Sequence, residues 1–263
     1  MKNYRIFDTH VHIFPEKIAH KAVDHLADYY HVIMAAEGTW DSLDASLAEA
    51  VQIEKCLIHS TATRPEQVRA VNDFVSSKIS DRFLGFGSIH ADYDDIEGEI
   101  ERIISLGLRG IKLHTDFQGF KADSDKAFRI YECAEGRLPI LFHVGDEYDD
   151  LSNPKRIRRI HDNFPNLTII AAHLGGSFMN MAEAEEYLVG QNVYFDTCSS
   201  LEFIDPEDAK RIILAHGTDK CLFGTDFPMH NQKATIENIL KLGLSDEDNQ
   251  KIFWDNAAKL FGL

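Results

Sequence analysis

Cysteine is scarce in this chain, and its four residues (Cys56, Cys133, Cys198 and Cys221) include no CxxC pair. That pattern excludes a cysteine-built zinc knuckle or a stapled secreted framework, and it predicts reduced, packed thiols in a cytoplasmic protein. No apolar run approaches the roughly 20 residues needed to span a bilayer, so no membrane is expected as a partner. The opening "MKNYRIFDTH" has no basic-then-apolar leader, which predicts that the chain is not secreted. Positive charge is also in short supply: 27 Lys and Arg stand against 43 Asp and Glu, for a formal net charge of −16. Such a balance repels phosphate backbones and argues against a nucleic-acid partner. Linkers, low-complexity tracts and internal repeats are missing too, so residues 1–263 read as one domain.

Against these absences stands a regular alternation. Eight short apolar runs recur at intervals: Arg5–Phe14, Lys55–Ser60, Phe83–Ile89, Leu108–His114, Pro139–Gly145, Leu167–His173, Val193–Cys198 and Lys220–Asp226. Polar stretches with helical periodicity separate them, such as "DYDDIEGEIERIISLG" and "DPEDAKRIILAHG", several opening on Asp, Asn or Ser and closing on Gly. Near-continuous apolar strands alternating with amphipathic helices predict a parallel sheet covered on its outer face. Eight units in this length predict an α/β fold, the (β/α)8 TIM barrel. The competing doubly wound sheet lacks its GxGxxG after the first strand. About 40 residues separate the first two strands, which predicts a helical insertion on the catalytic side, with Met34 and Trp40 either roofing a pocket or packing on neighbouring helices. Ser245–Leu263 reads as a C-terminal helix pair.

The 13 histidines divide into two groups. His20, His25, His31, His161 and His216 fall in helical stretches and call for no special reading. His10, His12, His59, His90, His114, His143, His173 and His230 fall at or just past strand ends, the rim where barrel enzymes build their sites. Residues i and i+2 of a strand share a face, so His10 and His12 of "FDTHVHIF" both point into the barrel mouth. By the same parity Asp8 joins them as a supporting group, and Gly110, Lys112 and His114 share a face of the fourth strand. Neutral imidazole is the commonest nitrogen ligand for zinc-like ions.

On "DTHVHIF", "GIKLH", "ILFHVGD", "IIAAHLGG", "CLFGTDFP" and "NAAKLFGL" the chain resembles the amidohydrolase superfamily, in particular its amidohydrolase-2-type, metal-dependent TIM-barrel branch. The resemblance covers nearly the whole length. It implies that His10, His12, His143 and Asp226 hold a first divalent metal, and that His173 completes a second site or orients substrate. Lys112 resembles the strand-four lysine of dihydroorotase-like relatives, where a carbamylated lysine bridges two metals. One or two ions, zinc first, are therefore expected. The plainer reading of Lys112 is a salt bridge to Asp116 or Asp146, or a contact with a substrate carboxylate.

Such a set supports hydrolysis of an amide, lactam, lactone or ester in a small molecule. A metal-bound water reaches a pKa of about 7, Asp226 handles its proton, and His173 and His114 stabilise the oxyanion. His114 and His59 are candidate substrate contacts. The alternative is a decarboxylase or hydratase acting on an unsaturated or aromatic carboxylic acid, with Arg64, Arg109 and His59 as carboxylate anchors. Asp146 and Glu147 are rim or substrate contacts in either case, and Asp196 a specificity residue. A non-catalytic scaffold and a nuclease fit less well. A homodimer is the default assembly.

Overall fold

In the computed structural model, which describes residues 4–177 and 179–263, eight parallel strands follow one another around a barrel. They are β1 (Ile6–His12), β2 (Ile53–His59), β3 (Phe83–Ser88), β4 (Ile111–Leu113), β5 (Ile140–Phe142), β6 (Ile169–Ala171), β7 (Tyr194–Asp196) and β8 (Cys221–Leu222). Closure runs through the chain after β8, where the amides of Thr9 and His12 donate to the carbonyls of Phe223 and Phe227 at 2.8 and 2.7 Å. The (β/α)8 expectation holds, although β4 to β8 are only two or three residues long. His114, His143, His173 and Asp226 consequently lie just beyond their strands, on the loops of the rim.

Alternation along each strand sorts the core into two compartments. Outward residues such as Ile58, Ile111, Phe142, Ile169 and Phe195 pack under the helices, whereas Phe7, Leu57, Phe86, Leu141, Ile170 and Leu222 fill the barrel interior. The helix Ile96–Ser105 shows how the jacket forms. Asp95 caps it by accepting from the Gly98 amide, and Ile96, Ile100 and Ile103 at helical spacing bury one face. Each such isoleucine contributes about 1.5–3 kcal/mol of burial. No described helix is long and apolar enough to cross a membrane.

The C-terminal segment is not a pair of separate helices. Asp246–Gln250, a π-turn over Lys251–Asp255, and Asn256–Phe261 form one run, because Lys251 and Asn256 keep right-handed helical backbone. Trp254 and Phe261 from this run plug the barrel floor against Phe7 and Phe86. Arg109 belongs to this lower end as well, donating to the Phe261 carbonyl at 2.7 Å, far from any role as a carboxylate anchor.

The insertion after β1 contains the helices Glu16–Tyr30 and Trp40–Glu49. Its first helix and the following loop cover the mouth of the barrel, placing Met34 on a cavity wall. Trp40 instead packs on Phe83, with ring centroids 4.8 Å apart.

Parity along β1 fails between Asp8 and Val11. Asp8 pairs with Cys56 but Val11 pairs with Ile58, so β1 carries one extra residue between them. This bulge turns Asp8 outward while His10 and His12 face in. Asp8 is buried against the Thr225 hydroxyl, the Thr225 and His10 amides and Gln232. Burial raises its pKa to about 7, against the pull of those donors. It supports the β1–β8 seam rather than the metal-side face.

Candidate metal centre

The inward face of β1 delivers His10 and His12, and the turn after β8 delivers Asp226. His10 Nε2 lies 3.2 Å from His12 Nε2 and 3.4 Å from Asp226 Oδ1, while His12 Nε2 lies 3.1 Å from the same oxygen. Three donors at these separations form a triangle. Donors bonded to one zinc-like ion at about 2.0–2.2 Å stand about 3.0–3.5 Å apart, so the triangle fits a shared cation.

Hydrogen bonding on the far side of each ring fixes where the lone pairs point. His10 Nδ1 faces Asp196 Oδ2 at 2.8 Å; a carboxylate only accepts, so Nδ1 carries the hydrogen and Nε2 offers its lone pair to the triangle. His143 Nε2 faces the Gly145 carbonyl at 2.9 Å, and His173 Nδ1 faces the Cys198 carbonyl at 3.1 Å. Both therefore carry hydrogens there. Their opposite nitrogens, His143 Nδ1 and His173 Nε2, confront each other at 2.9 Å, so two neutral rings would have no hydrogen between them. Two facing lone pairs repel unless a cation or proton lies nearby. This is a second edge of a ligand cluster, 5.9 Å from His10 by the ring centroids of His10 and His173.

Protonation agrees with this reading. Burial pulls His10 down to about 4, with Lys112 adding to the effect, and burial drives His143 well below the usual imidazole range. Burial pushes Asp226 up, but His10 and His12 outweigh it and hold the carboxyl well below its usual range. Neutral imidazoles and an ionised carboxylate are the forms a divalent cation needs. Lys112 is fully buried, its Nζ 3.2 Å from His10 Nε2, and burial lowers its pKa from the ordinary lysine value. Among the described residues it makes no ion pair with Asp116 or Asp146, the plain reading of that lysine.

Backbone strain gathers in the same place. Of the described residues other than glycine, only His31, His173, Leu174, Ser199 and Asp226 adopt positive φ. His173, Ser199 and Asp226 all line the cavity above the donors, and the Ser199 hydroxyl donates to Asp226 Oδ2 at 2.7 Å. Strained side chains held this firmly are characteristic of functional sites. Gly145 has φ +83°, and a Cβ there would stand 2.7 Å from the Ser177 amide nitrogen, so only glycine brings the β5 and β6 loops this close.

The cavity above the cluster measures 420 Å³. Its floor is His12, His143, His173 and Asp226, and its walls include Phe14, Tyr30, Phe117, Met229 and Phe203. His114 lines it too, stacked on His143 with centroids 3.8 Å apart, its Nε2 3.1 Å from the Tyr30 hydroxyl. His59 is not in the walls. As the last residue of β2 it sits fully buried, edge-on to His10 and His12, both ring nitrogens lacking a protein partner. It belongs beneath the cavity, beside the donor triangle.

His90 is also outside the site, because the Gln118 carbonyl and the Asp92 amide engage its two nitrogens. His230 and the exposed Arg64 do not reach the walls either. Asp196, expected as a specificity residue, is shut off from the cavity and orients His10 instead. Sequence reasoning missed Tyr29, Tyr30, His25 and His31, all from the insertion. Tyr29 donates to Asp146 Oδ1 at 2.9 Å. Cys198, read as a packed thiol, is one, but its Sγ touches the Nδ1 atoms of both His10 and His173 at 3.1 and 3.2 Å.

Comparison with known proteins agrees with the fold. Among solved structures, an uncharacterised TIM-barrel protein from Bordetella bronchiseptica superposes with a TM-score of 0.77 at 20% identity, over 98% of each chain. A dihydroxybenzoic acid decarboxylase from Polaromonas sp. JS666, with bound manganese and the inhibitor 2-nitroresorcinol, superposes with a TM-score of 0.76 at 18% identity, over 99% of this chain and 97% of that one. These likenesses establish the shared fold. In sequence, a 2-amino-3-carboxymuconate-6-semialdehyde decarboxylase from Dictyostelium discoideum is 23% identical over 73% of this chain; the chain spans 66% of that relative, just under two thirds. A gamma-resorcylate decarboxylase from Polaromonas is 23% identical over 75% of this chain and 77% of its own. The Amidohydro_2 family model, described as amidohydrolase, matches residues 7–263. With that match over nearly its full length, and a barrel whose rim gathers the histidines and aspartate, the chain belongs to the amidohydrolase family.

Proposed function

We propose that this protein is a metal-dependent lyase that decarboxylates a small aromatic or unsaturated carboxylic acid. One observation carries the proposal. The cavity has cation-binding donors in its floor, aromatic walls, and no Lys or Arg side chain among its described lining residues. Positive charge for an entering carboxylate would come from a cation held by His10, His12 and Asp226, with the buried Lys112 beside His10. The two decarboxylase relatives support this reading over hydrolysis, the first expectation from sequence.

A divalent ion held by His10, His12 and Asp226, with His143 and His173 beside them, would supply Lewis acidity to the carboxylate. Manganese, present in the Polaromonas structure, is compatible with a mixed nitrogen and oxygen set, as zinc is. The chain's own groups do the rest. Phe117, His114 and His143 stack on one another, with Tyr30 edge-on to Phe117, in an aromatic wall that orients a planar acid and excludes water. Decarboxylation breaks the bond from the ring or chain carbon to the carboxyl group, releases CO2, and leaves the electron pair on carbon. That carbon then takes up one proton. It comes from solvent water: Asp226, ionised in the resting site and steadied by Ser199, takes it up and passes it to the carbon, with His173 beside it in the cavity floor.

The test is CO2 release from mono- and dihydroxybenzoates by protein loaded with Mn2+ or Zn2+, repeated after chelation. CO2 evolution that vanishes with the metal is expected. Turnover of lactones or amides with no CO2 from any acid would overturn the proposal.

A further inference from the structure

One imidazole beside the donor triangle has no role so far. His59 is fully buried, and neither of its ring nitrogens meets a protein partner. A neutral imidazole has one N–H to donate and one lone pair to fill, so this ring calls for a partner from outside the chain. Strand pairing explains how it comes to lie there. His59 of β2 is the register partner of His12 of β1, and its carbonyl accepts from the Ile13 amide at 2.9 Å. The two side chains therefore stand at one level on the same face of the sheet. Their rings meet edge to face with centroids 4.4 Å apart, and the His10 ring is 4.9 Å from that of His59. One ring nitrogen from each of His10, His12 and His59 lies within 4.8 Å of the other two.

We infer that His59 is a further nitrogen ligand of the ion held by His10, His12 and Asp226. The inference rests on the metal-binding part of the reading above and adds one residue to it. Nitrogens bound to one zinc-like ion at about 2.0–2.1 Å stand about 3.0–3.5 Å apart, so a His59 ring movement of about 1 Å brings the three together. Ligation fills a lone pair that the protein leaves idle, in a place closed to solvent. It also changes what the site prefers. Three imidazoles with one carboxylate make a nitrogen-rich set, which suits Zn2+ or Co2+ better than Mn2+, an ion better matched by oxygen donors. His59 tilts the choice of ion without touching the cavity walls.

Chelator-competition titrations of wild type and His59→Phe test this, because phenylalanine keeps the bulk of the ring and removes its nitrogens. Zn2+ affinity should fall by about a hundredfold or more and Mn2+ affinity by less than about tenfold. The metal-free variant should melt no lower than wild type, since an unpaired polar group has left the interior. With Co2+ in the site, the variant's proton NMR spectrum in water should lack one paramagnetically shifted imidazole N–H signal. If the variant does not fold, a crystal structure of the Zn2+-loaded wild type decides alone: a His59 nitrogen within about 2.3 Å of the ion is expected. Equal losses for the two ions, no loss, or a water standing between His59 and the ion would overturn the inference. Ligation by His59 with no CO2 release from any acid would sink the proposed reaction and leave this ligand standing. A wild-type protein that binds none of the three ions would overturn both.

Discussion

The two ends of the barrel are built from the same eight strands and serve opposite ends. Below, Phe7, Leu57, Phe86, Leu141, Ile170 and Leu222 interlock under the Trp254–Phe261 plug, with every apolar surface covered. Above, in positions only a few residues further along, His10, His12, Lys112, His143 and Asp226 crowd together with little solvent. The lower end stabilises the fold through burial; the upper end spends some of that stability to keep lone pairs and charge poised for a ligand.

The sharpest way to break this contrast is to cut each end separately. His10→Ala should abolish metal binding and lower turnover by more than about a thousandfold, while the metal-free protein melts no lower than wild type, since a crowded polar group has been removed. Phe86→Ala should do the reverse, costing about 3–5 kcal/mol in chemical denaturation while the folded fraction turns over within a few-fold of wild type. Equal loss of stability from both would mean that the rim is ordinary core. A smaller effect is expected at the join between the two ends. Asp196→Asn, which weakens the grip on His10 Nδ1, should loosen the metal about 10–100-fold in a competition titration, with the melting curve of the metal-free protein little changed. Unchanged metal affinity would reduce Asp196 to a packing residue.

The mildest test is pH. Burial holds His10 and His216 near about 4 and drives His59, His114 and His143 well below the ordinary 6.5. The unfolded chain takes up these protons below about 6.5 and the folded chain does not, so their share of stability is lost as pH falls from about 6.5 toward 4. Asp8 and Asp116, both raised to about 7 by burial, run the other way: the folded chain keeps protons that the unfolded chain gives up above about 3.8. The histidines outnumber the carboxyls, so the metal-free protein should melt at a lower temperature at pH 5 than at pH 7.5. A higher melting temperature at pH 5 would show that the two buried carboxyls dominate.

Much of this was legible in the sequence because it depends on period and position. Alternating apolar strands and capped helices specified the barrel, and imidazoles at strand ends specified the rim. What stayed hidden depends on local departures and on faces. The bulge in β1 leaves no compositional mark, yet it decides that Asp8 turns to Thr225 and away from His10. His59 and His90 end or follow strands like the others, but one sits beneath the cavity and the other is engaged by nearby backbone. Tyr29 and Tyr30 are consecutive on a helix, and only the docking of that helix over the mouth shows that both reach the site.

That docking carries a consequence for how such an enzyme changes its diet. The ion floor is assembled from residues distributed over the whole chain, whereas Phe14, His25, Leu26, Tyr30, Met34 and their neighbours arrive together on one contiguous stretch between β1 and β2. Exchanging that single cassette re-tailors the walls while leaving every proposed metal ligand untouched, so new substrates are reachable by one recombination event instead of many coordinated substitutions.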